Sequence, residues 1–128
     1  MQRLKTRVQF QAVMAGSTVS RTAHFALHRL NLDAGSEADR PQTLFAVRDC
    51  WIGALIPKRW AKRAVTRNAI RRQIYAVSQD ATPPLPAAAH VVRLRTGFDR
   101  KQFDSATSDA LKRAVRGELQ ELFARAAA

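Results

Sequence analysis

A chain of 128 residues with 46% hydrophobic content can bury one core, and its single cysteine, Cys50, excludes a disulfide framework and a thiolate metal cage. Twenty-two Lys+Arg against ten Asp+Glu leave a net charge of +12, a self-repulsion that a polyanionic partner relieves. No apolar stretch approaches the roughly 20 residues of a membrane span, and the basic start at Arg3, Lys5 and Arg7 is followed by no secretory apolar segment. The expectation is one cytoplasmic domain over residues 1–128 with a frayed tail from Ala126.

In chain order, Leu4 to Ala15 form a short helical pattern around Phe10, Val13 and Met14 that Gly16 can end. Val19 to Leu32 has strand spacing, with Phe25 and Leu27 on one side and His24, Ala26, His28 and Leu30 on the other. Asp33 to Pro41 is a polar turn region, and Thr43 to Pro57 is strand material with a bend or hairpin at Arg48 and Asp49. Lys58 to Gln79 reads as a helix, halted by the Pro-rich run Thr82 to Pro86. A strand at His90 to Leu94 precedes a last helix whose apolar positions include Leu111, Val115, Leu119, Leu122 and Phe123. Either Asp104 or Ser105 can cap it. The order α-β-β-β-α-β-α gives an α/β sandwich with helices packed against a small mixed sheet.

Few residues suggest chemistry by the chain itself. His24, His28 and His90 lack the short spacings of a metal site, and Asp99, Asp104 and Asp109 are too spread for a catalytic carboxylate pair. Cys50 and Trp51 read as core, while Trp60 can pack or stack on RNA. No catalytic residue and no protein-held metal are expected.

The charge is arranged instead. Residues 1 to 32 and Cys50 to Gln79 contain no acid, and KRWAKRAVTRNAIRR at Lys58 to Arg72 holds seven basic residues in fifteen. In helical projection Ile70, Ile74 and Val77 share a core face, whereas Asn68, Arg71 and Arg72 lie opposite, flanked by Arg67. A solubilising helix usually mixes signs to gain i,i+4 pairs. Here Arg67 and Arg71 repel each other unless an anion lies across them. Guanidinium groups suit that task, because they bind phosphate bidentately and stack on bases.

AVTRNAIRR at Ala64 to Arg72 resembles the Arg-Asn-centred signature helix of bacterial ribonuclease P proteins. Other segments are similar in the same order: RLKTRVQFQAV at Arg3 to Val13, HFALHRL at His24 to Leu30, IGALIPKR at Ile52 to Arg59 and HVVRLR at His90 to Arg95. Ala69 stands where the family usually has an arginine, and Tyr75 where another basic residue is common.

The resemblance implies an accessory subunit of an RNA enzyme that removes the 5′ leader of precursor tRNA. It implies RNA binding by Lys58, Arg59, Lys62, Arg63, Arg67, Asn68, Arg71 and Arg72. It also implies a leader cleft between the first helix and the sheet, lined by Phe10, Met14 and His28, the last two at positions where aromatics are common. The strand face of His28 also carries His24, which favours a polar cleft wall. The implied partners are the catalytic RNA and precursor tRNA, without a membrane or an obligate protein partner. The implied cofactor is Mg2+, held mainly by RNA and substrate. Two alternatives are a ribosomal-type RNA-binding module and a peripheral membrane protein, the latter disfavoured because the helix's apolar face is needed for the core.

Overall fold

The structure, a computed structural model, describes residues 1–32, 45, 49–98 and 109–127. Its elements are β1 (Gln2–Arg3), α1 (Arg7–Met14), β2 (Ser17–Arg21), β3 (Phe25–Leu30), β4 (Trp51–Leu55), α2 (Ala64–Gln79), β5 (Ala89–Leu94) and α3 (Asp109–Ala127). The α/β sandwich expected from the sequence is present, with one further strand at the start. The strands form one mixed sheet in the order β1-β4-β5-β3-β2. β1 and β5 flank β4 in parallel, while β3 runs antiparallel to β5 and β2.

Alternation along the central strands builds two cores. One face carries Phe25, Leu27, Ile52, Val92 and Leu94, and α2 and α3 cover it with Ile70, Ile74, Val77, Leu111, Val115, Leu119 and Leu122. The other face carries Trp51, Ala89 and Val91 beneath Leu4 and Val13, with Phe10 and Met14 of α1 packed at its margin. Among the described residues, α2 and α3 therefore close one side of the sheet, and the two-turn α1 lies over the other.

Local chemistry sets the ends of α1. Thr6 Oγ1 accepts the Gln9 N–H at 3.2 Å, and Gln9 Oε1 accepts the Thr6 and Lys5 N–H groups at 3.1 and 2.7 Å. This reciprocal cap starts the helix at Arg7 rather than Leu4. Gly16 follows because a Cβ there would run into the Arg29 carbonyl.

Several expected boundaries move. The strand expected over Val19 to Leu32 is a hairpin, β2 and β3, turning at Thr22 to His24, with Thr22 N–H donating to the Phe25 carbonyl at 2.9 Å. The helix expected from Lys58 begins at Ala64. The Pro57 carbonyl accepts both Trp60 and Ala61 N–H, which folds the intervening basic stretch into a loop. α3 extends through Ala127. Alanines favour the helix, and Arg125 pins its last turn to Glu121 at 2.6 Å and to the Arg21 carbonyl at 2.9 Å. The expected turn at Asp33 to Pro41, the bend at Arg48 and the capping candidates Asp104 and Ser105 lie outside the described residues, as does Asp99.

Candidate RNA interface

α2 buries Ala69, Ile70, Ile74, Val77 and Ser78 and exposes Asn68, Arg71 and Arg72. Its N-cap, Arg63, makes no side-chain capping bond, and the first turn contains no acid. Arginines near a helix N-terminus have the wrong sign for its dipole, a cost that a bound anion removes. Arg71 Nη1 donates to Asn68 Oδ1 at 2.9 Å, which occupies the amide oxygen and directs the Asn68 NH₂ donor outward.

Arg67 differs from its neighbours. Its Nη1 donates to the Ala61 carbonyl at 2.9 Å and the Lys62 carbonyl at 2.8 Å, so the side chain straps the preceding loop to α2. Lys58, Arg59, Lys62 and Arg63 are exposed on that loop and its junction rather than on the helix. Arg59 lies over the Trp60 ring at 5.0 Å, and Trp60 packs against the larger core. The structure thus brings all eight basic-segment candidates onto one continuous loop and helix, with Arg67 facing the chain through at least one of its donors.

The opposite face of the sheet holds the three cleft candidates. Phe10 is half-buried, its ring lying against β4 where a Cβ at Gly53 would approach within 2.7 Å of Phe10 Cε1. Met14 sits one turn later in the same cluster. His28 is buried on β3, between Thr18 of β2 and Arg93 of β5. Arg93 Nε donates to His28 Nε2 at 3.2 Å, leaving the ring proton on Nδ1 to donate to Thr18 Oγ1 at 3.1 Å. Burial, then the charges of Arg93 and Arg21, pushes His28 below its ordinary pKa, so it is a neutral ring flanked by cations.

Arg93, Arg21 and Thr18 are additions that sequence reasoning missed. The signal was present in β5, where Ala89, Val91 and Arg93 alternate with His90, Val92 and Leu94 and place one arginine on the less covered face. His24 does not share that wall. It precedes β3, donates its backbone N–H to Glu118 Oε2 at 2.6 Å, places Nδ1 2.7 Å from Oε1 and stacks on Phe98 at 3.9 Å. Glu118 belongs to α3, and that pull turns His24 away from the cleft.

The remaining candidates are structural. His90 is fully buried, with Nδ1 3.1 Å from the Trp51 carbonyl and Nε2 accepting from Arg29 Nε at 3.0 Å. Burial pushes the Cys50 thiol up to about 11, which makes it inert at neutral pH. Among the described residues no three His, Cys, Asp or Glu converge on a metal-sized space, and no helix is long and apolar enough to cross a membrane.

A family model for ribonuclease P matches residues 1–126. The chain belongs to the ribonuclease P protein family. The ribonuclease P protein component of Ralstonia pickettii is 36% identical over 121 residues, covering 94% of this chain and 76% of the relative. That of Burkholderia mallei is 32% identical over 125 residues, covering 98% and 82%. The Staphylococcus aureus RNase P protein superposes with a TM-score of 0.67 at 17% identity, over 97% of this chain and 94% of that one, a likeness of fold. Family membership favours a ribonuclease P role over the ribosomal-type alternative and implies an RNA partner.

Proposed function

We propose that this chain is the protein subunit of a cytoplasmic ribonuclease P ribonucleoprotein, holding the catalytic RNA with its basic segment and the precursor tRNA leader in its cleft. The observation that carries this reading is the outward face of α2, where Asn68, Arg71 and Arg72 are exposed on a helix without an acid. Lys58, Arg59, Lys62 and Arg63 add charge along the adjoining loop, and Arg67 sets that loop's position. On the far side of the sheet, Phe10 and Met14 offer apolar surface for a base, while Arg93 and Arg21 offer charge for its phosphate.

Magnesium would supply a metal-activated water and charge neutralisation at the scissile phosphate. We assign it to the RNA and the substrate, whose phosphate oxygens are the hard ligands it favours. The protein's work is to neutralise phosphates, hold the leader and fix orientation.

Reconstitution tests the proposal. With a transcribed bacterial ribonuclease P RNA and magnesium, the protein should promote specific 5′ cleavage of precursor tRNA, and without that RNA it should cleave nothing. Arg71→Ala with Arg72→Ala should weaken RNA binding and lower the salt slope by about 0.7 to 0.9 per lost phosphate contact. Unchanged affinity and slope in a folded double variant would remove α2 from the RNA surface, and cleavage by RNA-free protein would refute the division of labour.

A further inference from the structure

We propose that Arg3, whose guanidinium lies over the ring of Tyr75, is a further phosphate-binding residue, with Tyr75 as its positioning residue; this rests on the reading of α2 above. β1 is short, but its placement is fixed. Gln2 N–H donates to the Cys50 carbonyl at 2.8 Å and Leu4 N–H to the Ile52 carbonyl at 2.9 Å, while the Leu4 side chain is buried. Arg3 pairs with Ile52, whose side chain belongs to the core beneath α2, so Arg3 projects toward α2 while its neighbours Gln2 and Leu4 face away. Its guanidinium carbon stands 4.1 Å from the centre of the Tyr75 ring.

Tyr75 lies one turn beyond Arg71 and Arg72 and two turns beyond Asn68, on the outward side of the same helix. Position 75 itself carries no charge. The edge strand supplies one there from 72 residues earlier in the chain, extending the basic strip along α2. Attraction to the ring face restrains the guanidinium over Tyr75 without using its N–H donors, which are left to meet phosphate oxygens. Arg3 is exposed, so those donors are accessible to a strand of RNA. Phosphates of the catalytic RNA and of the substrate share this chemistry, and the two arms of the test separate them.

A transcribed bacterial ribonuclease P RNA is titrated with wild-type protein, Arg3→Ala, Arg71→Ala, Tyr75→Leu, Tyr75→Phe and the control Lys112→Ala on the exposed face of α3, across a series of salt concentrations. The holoenzymes are then titrated with precursor tRNA. Arg3→Ala should lower affinity roughly five-fold near 0.1 M salt and reduce the salt slope by about 0.7 to 0.9. Tyr75→Leu should weaken binding in the wild-type background and add nothing to Arg3→Ala, Tyr75→Phe should bind as wild type, and Lys112→Ala should leave the slope unchanged. A loss in the RNA-subunit arm places the phosphate on the catalytic RNA; a loss confined to the second arm places it on the substrate. If Arg3→Ala changes neither arm while Arg71→Ala weakens binding, the inference fails and the reading of α2 stands; if neither variant matters, that reading fails as well. An effect of Arg3→Ala matched by none from Tyr75→Leu overturns the positioning role. If Tyr75→Leu does not fold, Arg3→Ala, at an exposed position on an edge strand, decides the phosphate contact and Arg3→Lys decides the stack, since lysine keeps the charge without the planar fork and should recover only part of the affinity.

Discussion

His90 makes the stability of this protein depend on pH in a defined window. The side chain is fully buried, with Nδ1 near the Trp51 carbonyl and Nε2 accepting from Arg29, a pattern that only a neutral ring can satisfy. Burial, reinforced by the Arg29 charge, lowers its pKa from 6.5 to about 4. Between those values the unfolded chain binds a proton that the folded chain refuses. The stabilisation is fully present above about pH 6.5 and is lost as pH falls toward about 4. At about 1.4 kcal/mol per pKa unit the loss is about 3 kcal/mol, a sizeable share of the roughly 5 to 15 kcal/mol that holds a domain together. His28, also lowered, adds to the loss in the same direction. Urea unfolding of wild type and His90→Gln between pH 7.5 and 4.5, at constant ionic strength, reads the effect. Wild type should lose stability more steeply than the variant, by up to one proton's worth of slope. Parallel curves would refute the assignment of a neutral His90.

Two further substitutions separate structural from RNA-contacting roles. Phe10→Ala should cost about 1 to 2 kcal/mol of stability, less than the 3 to 5 typical of a fully buried ring because Phe10 is half-exposed, and should weaken holoenzyme binding to long-leader precursor tRNA by about 1 to 3 kcal/mol. Equal losses on long-leader and one-nucleotide-leader substrates would reject the cleft. Arg67→Ala should release the Ala61 and Lys62 carbonyls, raising amide exchange at Trp60 and Ala61 and changing Trp60 fluorescence. Unaltered exchange and fluorescence would show that Arg67 does not hold the loop.

Sequence pattern exposed the elements whose cause is local. The outward Asn68, Arg71 and Arg72, the core faces of α2 and α3, and the alternation of Phe25, Leu27 and His28 all follow from side-chain period alone. What stayed hidden depends on contacts that no side-chain period reveals. β1 is two residues long, too short for any period, and exists because β4 offers an edge. Strand alternation puts His24 on the face of His28, but Glu118, 94 positions later, gives its ring and backbone an acceptor on the other side. The start of α2 was misplaced because Lys58 to Arg63 are acceptable helix formers, and only the Pro57 carbonyl and the strap from Arg67 show that they form a loop.

Contacts within the protein also hold several side chains of the proposed RNA surface in place. Arg71 fixes Asn68, Arg67 fixes the loop that carries Lys62, Arg93 and Thr18 fix His28, and Tyr75 fixes Arg3. Ordering a long side chain on binding costs about 0.5 to 1.5 kcal/mol, so groups already held in place contribute more of their contact energy to affinity. Charge-preserving substitution isolates that effect. Arg71→Lys retains the positive charge but loses the planar fork, one arm of which donates to Asn68 and the rest of which, in the proposed reading, meets phosphate. Its RNA affinity should fall while the salt slope stays near wild type, whereas Arg71→Ala should lower both. If Arg71→Lys binds RNA as tightly as wild type, charge alone accounts for the surface, and the orienting hydrogen bond to Asn68 is dispensable.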